Sequence, residues 1–155
     1  MAGDSTVVMA LRKATPGFAW EGIARHPYKE TEAAPFNAIS RQTLFSDPRL
    51  NGELRYFEIE PGGFSTLERH AHMHGVMILL GGGHCLIGTE VHALRPRDLV
   101  TIEPWTWHQF RAGREEPLGF LCLVNSERDK PQLPNAEDVA LLRADPVVAR
   151  FLDGA

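Results

Sequence analysis

The chain is short of cysteine, of positive charge and of long apolar runs, and each shortage excludes a class. Two cysteines, Cys85 and Cys122, in 155 residues make no disulfide framework, which suits a reducing compartment. Lys and Arg number 16 against 20 acids, a net charge of −4, and no basic run occurs. The electrostatic footprint of a nucleic-acid binder is therefore missing. The longest near-continuous apolar stretch, residues 76–80, falls far below the roughly 20 residues that cross a bilayer as a helix. The first residues, Met-Ala-Gly-Asp-Ser-Thr, lack the basic and apolar regions of a secretory signal. Internal repeats and low-complexity segments are lacking too. What remains is the expectation of one soluble, cytoplasmic domain, with neither nucleic acid nor membrane as partner. At this length roughly 70% of the unfolded surface can be buried, enough for a real core.

Histidine is present where it counts. Three of seven histidines, His70, His72 and His74, fall within five residues. Glu68 stands just before them, and His108 follows a Pro-Trp-Thr-Trp turn about thirty residues on. Neutral imidazole is the commonest metal ligand. A disordered His-rich tract is the bland reading of such a cluster, but the apolar run 76–80 directly behind it argues for a folded site. Glu68 and His70 are two apart and share one face of an extended segment. The three residues before His74 allow a turn, so that His74 enters from the adjacent strand, and His108 comes from a distant one. Three nitrogen donors and one carboxylate suit Mn, Fe, Ni, Co or Zn and leave one or two positions open. His26, His84 and His92 have no ligand-like partners, so solvent exposure or a local hydrogen bond is expected of them.

The organisation is that of an all-β protein. Residues 1–36 read as an N-terminal arm with one or two short strands, 37–128 as a barrel, and 129–155 as a helical tail. Residues 39–45 and 54–60 alternate apolar and polar, the second run stopping at Pro61-Gly62-Gly63. Strands follow at 76–80, 84–87, 91–94, 98–102, 108–111 and 118–125. Short strands with regularly spaced Gly and Pro argue for a barrel or sandwich. In the tail, Asn135 followed by acids, and Asp145 followed by Pro146, announce two short helices that pack on the barrel exterior.

Read together, residues 62–81 and 96–108 resemble the cupin superfamily, small β-barrels that often hold a metal. The first cupin motif is G-x5-H-x-H-x3-E-x6-G. Counting from Gly62 gives Glu68, His70, His74 and Gly81 at every spacing, with the first His and the Glu exchanged. The second motif, G-x5-P-x-G-x2-H, fits more loosely: Arg97-Asp98 and Glu103-Pro104-Trp105 replace its glycines, and His108 stands at the required place. A frame counted from Gly63 would instead pair His70 with His72 and put Val76 at the carboxylate position. The Gly62 frame is preferred because Gly81 to Gly88 keeps the family's turn interval. In it His72 lies in the turn, as a ligand, an active-site group or neither.

The resemblance implies a single cupin (double-stranded β-helix) barrel with a metal at Glu68, His70, His74 and His108. The wider strings around these residues, with Phe-Leu-Cys-Leu-Val at 120–124, resemble the 1-methylthio-xylulose-5-phosphate sulfurylases of methylthioadenosine salvage. That resemblance implies manganese, glutathione as co-substrate, a small anionic substrate and a thiol role for Cys122; cupins also commonly form homodimers. Cys122 faces inward if Phe120 and Val124 do, and is otherwise a small buried hydrophobe; Cys85 reads as core. Lys29, Arg41 and Arg55 are candidates for the anion, with solvated surface charge as the default for each. Trp105 and Trp107 are placed at the barrel mouth, shaping a pocket or packing the arm. An iron- and O2-dependent cupin dioxygenase and a non-enzymatic binding module remain the rival functions.

Overall fold

A computed structural model describes residues 9–28 and 35–154. Three two-residue strands, β1 (Ala14–Thr15), β2 (Ala19–Trp20) and β3 (His26–Pro27), form the arm. Then come β4 (Asn37–Asp47), β5 (Gly52–Phe64), β6 (His74–Gly81), β7 (Gly83–Ile87), β8 (Glu90–Leu94), β9 (Leu99–Ile102), β10 (His108–Ala112) and β11 (Leu118–Asn125). Two helices follow, α1 (Ala136–Arg143) and α2 (Pro146–Leu152). Among the described residues no helix is long and apolar enough to cross a membrane.

The large sheet is antiparallel throughout and runs β8-β7-β10-β5-β11-β6-β9, with β4 on the other edge of β5 and β3 beyond it. It curls because β5 serves two layers. Its first part lies between β4 and β11, while its last residue, Phe64, pairs with Arg111 of β10. The change of layer falls at Pro61-Gly62-Gly63. The expected stop at Pro61 is therefore corrected: the strand bends there and continues to Phe64. Gly62 adopts φ +76°, a region that side chains disfavour, and its N–H donates to the Gly113 carbonyl at 2.8 Å. Proline loses nothing at a point where the ladder is interrupted anyway.

Alternation decides what each strand buries. In β11, Phe120, Cys122 and Val124 are buried, while Leu123 is exposed. In β6, Val76 and Ile78 are buried and Met77 points out, so residues 76–80 are not a strand covered on both sides. The inner core joins Ile39, Phe57, Ile59, Val76, Ile78, Phe110 and Phe120. In β7, Cys85 belongs to this inner core, while its neighbour Leu86 packs outward under Leu142, Val148 and Phe151 of the two helices. The helices thus cover the barrel exterior as expected. Asn135 accepts from the Asp138 N–H while Asp138 accepts from the Asn135 N–H, and Asp145 accepts from Val147 and Val148; both are caps that satisfy otherwise orphaned donors. The arm lies on β4 and β5: Phe18 stacks on Tyr56, Trp20 meets Tyr56 edge-on, and Gln42 Nε2 donates to the Phe18 carbonyl.

Candidate metal centre

A short zipper between residues 65–70 and 105–110 assembles the site. The Ser65 N–H donates to Phe110 O, and Ser65 Oγ accepts from the Phe110 N–H. Further along, Glu68 and His108 exchange backbone hydrogen bonds at 3.2 and 3.0 Å, and the Trp105 N–H donates to His70 O at 2.7 Å. Two motifs forty residues apart in sequence are thereby set face to face. The chain then bends at Ala71-His72, and His74 opens β6 beside β11.

The four expected ligands and His72 converge. Glu68, His70 and His108 offer donor atoms all within 4.8 Å of one another, and so do His70, His72 and His74. His70 belongs to both groups and is the hub. Glu68, His70 and His108 are buried. The His70 ring lies 4.7 Å from that of His74 and 4.9 Å from that of His108. His72 stacks on His70 at 3.6 Å with planes 3° apart. Two parallel rings send their in-plane lone pairs along lines that do not meet, which counts against His70 and His72 binding one ion together.

The hydrogen bonds select the imidazole nitrogens. His70 Nδ1 lies 2.6 Å from the His72 carbonyl, and His108 Nδ1 lies 2.9 Å from the Thr106 carbonyl. A carbonyl only accepts, so both Nδ1 atoms carry the proton, and in the neutral rings both Nε2 atoms keep a lone pair. His74 Nδ1 lies 2.9 Å from Cys122 Sγ, and its Nε2 lies 2.9 Å from His70 Nε2. Burial, followed by the neighbouring His108, pushes the pKa of His70 down to about 4 and that of His74 to about 2. Neutral rings with outward lone pairs, oriented by carbonyls behind them, are what a divalent transition metal requires. The donor set fits such an ion.

Sequence reasoning missed Asp129. Its carboxylate accepts from the N–H groups of Ala71 and His72, at 2.8 and 3.0 Å, and lies 2.7 Å from His72 Nδ1. The Ala71 bond first, and then His72, hold its pKa well below the usual carboxylate range. Asp129 follows the last strand and stands 57 residues from His72; nothing local marks it.

A cavity of about 760 Å3 opens over these groups, a size that suits a small metabolite. Cys122 lines it and is 2% exposed. Burial raises the thiol pKa, and Arg55, whose Nη2 is 3.7 Å from the sulfur, opposes that rise. Arg41 and Arg55 also line the cavity; Arg55 is buried and Arg41 half-buried. The surface-charge default is thus corrected for both, because alternation on β4 and β5 turns these positions inward. Lys29 lies outside the described residues. Neither Trp105 nor Trp107 is among the lining residues. Trp105 is exposed, and Trp107 packs with the outer helices under the Arg69 guanidinium, so the barrel-mouth expectation is corrected too. His84 and His92 are exposed and Cys85 is buried in the core, as expected.

Comparison with known proteins agrees with this arrangement. The cupin domain family model matches residues 55–124. A 1-methylthio-D-xylulose 5-phosphate methylsulfurylase of Rhodospirillum rubrum is 61% identical over 151 residues, covering 97% of each chain. The crystal structure of a cupin-2 domain protein from Rhodospirillum rubrum superposes with a TM-score of 0.84 at 60% identity, over 93% of this chain and 97% of that one. A cupin 2 conserved barrel domain protein from Rhodopseudomonas palustris gives 0.86 at 57%, over 92% and 98%. The chain belongs to the cupin family, and its relative is an enzyme.

Proposed function

We propose that this cupin removes the methylthio group from 1-methylthio-D-xylulose 5-phosphate, with glutathione as co-substrate, to give 1-deoxyxylulose 5-phosphate in methylthioadenosine salvage. The observation that carries the proposal is the 61% identity, over nearly the whole chain, to an enzyme named for that substrate. A buried thiol and a cluster of neutral imidazoles lining one cavity supply matching chemistry. Glu68, His70, His74 and His108 would hold one divalent transition metal per chain, manganese by family resemblance. When bound there, the ion supplies Lewis acidity toward the C2 carbonyl and its enolate.

The chain's own residues do the rest. Cys122, as thiolate, attacks the sulfur of the methylthio group. The C1–S bond breaks with its electron pair left on C1, and a Cys122–S–S–CH3 disulfide forms. C1 then takes a proton and becomes the methyl ketone. Glutathione thiolate attacks the disulfide, leaves as the methyl mixed disulfide and returns Cys122 as thiolate. The exchange balances: the carbon is reduced, and two sulfurs are oxidised to a disulfide. His74 Nδ1 and the Arg55 guanidinium flank Cys122 Sγ at 2.9 and 3.7 Å and favour the anionic sulfur. Two free cysteines suit a cytoplasmic location. A homodimer would use the outer face of β6, β9 and β11, where Met77 and Leu99 are register partners and both are exposed.

The test is anaerobic incubation of metal-loaded protein with 1-methylthio-D-xylulose 5-phosphate and glutathione, followed by mass spectrometry. 1-Deoxyxylulose 5-phosphate and S-methylthio-glutathione are expected in equal amounts. Absence of both, with consumption of another substrate only when O2 is admitted, would replace this reading with an iron dioxygenase. Full activity in Cys122→Ala would remove the cysteine from the chemistry and leave glutathione to attack the substrate directly.

A further inference from the structure

The cavity is more positive than the chain that encloses it. Among the described residues, Arg41, Arg55, Arg128 and Lys130 line it against two carboxylates, Glu68 and Asp129, in a protein of net charge −4. The four cations are not equivalent. Lys130 is exposed. Arg128 lies 3.6 Å from Glu53 and donates to the Asn125 carbonyl. Arg41 and Arg55 stand on the inward face of adjoining strands. Arg41 is in register with Phe57, and Thr43 with Arg55, so the two arginines are diagonal neighbours, with Cβ atoms roughly 7 Å apart.

Both carry the same unmet need. The Nε atoms of Arg41 and Arg55 are buried and have no hydrogen-bond partner among the described residues. Glu53 Oε1 lies 3.9 Å from Arg55 Nε, beyond hydrogen-bond range. Buried donors are rarely left without an acceptor. The Nε edge of a guanidinium, with one Nη beside it, is the fork that matches two oxygens of a tetrahedral anion. Arg55 also reaches Cys122 Sγ with Nη2 at 3.7 Å, and Cys122 Sγ is 2.9 Å from His74 Nδ1. The arginine pair therefore sits on the Cys122 side of the imidazole cluster, within the same cavity.

We propose that Arg41 and Arg55 form a phosphate-monoester subsite that holds the far end of a phosphorylated ketose while its carbonyl end meets the imidazole cluster. The assignment rests on the sugar-phosphate reading above and names the residues that would make it selective. Arg41 is the specificity determinant, since Arg55 is shared with the thiol. Unphosphorylated ketose would leave both Nε donors bare, so discrimination comes from the donors' need as well as from charge.

The experiment is equilibrium titration of metal-loaded protein with xylulose 5-phosphate and with xylulose, which carry no methylthio group and report binding alone. Wild type is expected to bind the phosphate ester at least about a hundredfold more tightly. Arg41→Gln should weaken the ester by about tenfold or more and leave xylulose unchanged. Arg41→Lys, which keeps the charge and loses the fork, should fall between, and it carries the test alone if Arg41→Gln does not fold by thermal unfolding. Equal binding of ester and sugar by wild type, or unchanged ester binding in both variants, overturns the subsite. Arg41-dependent ester binding without turnover of the methylthio substrate keeps the subsite and removes the proposed reaction. Turnover with an Arg41-independent KM does the reverse.

Discussion

Replacing Asp129 with alanine should loosen the metal without unfolding the protein. The carboxylate accepts three hydrogen bonds, from the Ala71 and His72 N–H groups and from His72 Nδ1. Two of these pin the bend that carries His72, whose carbonyl in turn accepts from His70 Nδ1 at 2.6 Å. Asp129 thus fixes the tautomer and aim of the hub imidazole through one intervening residue. The Asp129 side chain is 32% exposed, so water can replace much of what the released donors lose. The stability change should therefore be small, a few degrees in Tm at most. The orientation of His70 has no such substitute: among the described residues Asp129 is the acceptor for the Ala71 and His72 N–H groups, and the Trp105 N–H on the His70 carbonyl holds the near side of the bend alone. Outer partners of metal ligands typically contribute about 10- to 100-fold in affinity, and a loss in that range is expected for Asp129→Ala. Asp129→Asn keeps one acceptor oxygen and should lose less. The assay is competition for the metal against a chelator of known affinity, with thermal unfolding of the metal-free proteins alongside. An unchanged metal Kd in Asp129→Ala would refute the relay; a raised Kd together with a collapsed Tm would show that Asp129 is a general support of the fold.

Other outcomes follow from the same geometry. His70→Ala should empty the site in elemental analysis, and Glu68→Ala and His108→Ala should cut metal content sharply, whereas His72→Ala keeps most of it; an emptied His72→Ala beside a loaded Glu68→Ala would favour the frame counted from Gly63. The metal-free protein should lose stability as pH falls below about 6.5, because the unfolded chain then binds protons that His70 and His74, with folded pKa values near 4 and 2, refuse. That contribution is fully present above 6.5, so a metal-free Tm that does not fall between pH 7 and pH 5 would contradict it. Gly81 has φ +66° and a Cβ there would overlap the Pro117 carbonyl, so Gly81→Ala should lower stability by at least about 2 kcal/mol, read as a drop of several degrees in Tm.

Much of the architecture was legible because it is written in local chemistry. Period-two alternation marked the strands, Asn135 and Asp145 marked helix starts, and both are properties of adjacent residues. The grouping of Glu68, His70, His74 and His108 as candidate ligands came from spacing together with the resemblance to the cupin motifs. The bend at Pro61-Gly62-Gly63 was read as an end, because a proline that closes one ladder looks the same in sequence as one that hands the strand to another. Whether Cys122 faced inward was open, since alternation gives two faces and does not say which is covered; the sheet's curl decided it. Arg41 and Arg55 looked like surface charge for the same reason, and only the closing of β4 and β5 over the cavity buried their Nε atoms. Asp129 and His72 meet across 57 residues, and Glu68 meets His108 across the backbone bridge that joins the two motifs. The identity of the donors is a matter of sequence; which nitrogen carries the proton, which lone pair is free and what stands behind each ligand depend on contacts that no spacing along the chain encodes.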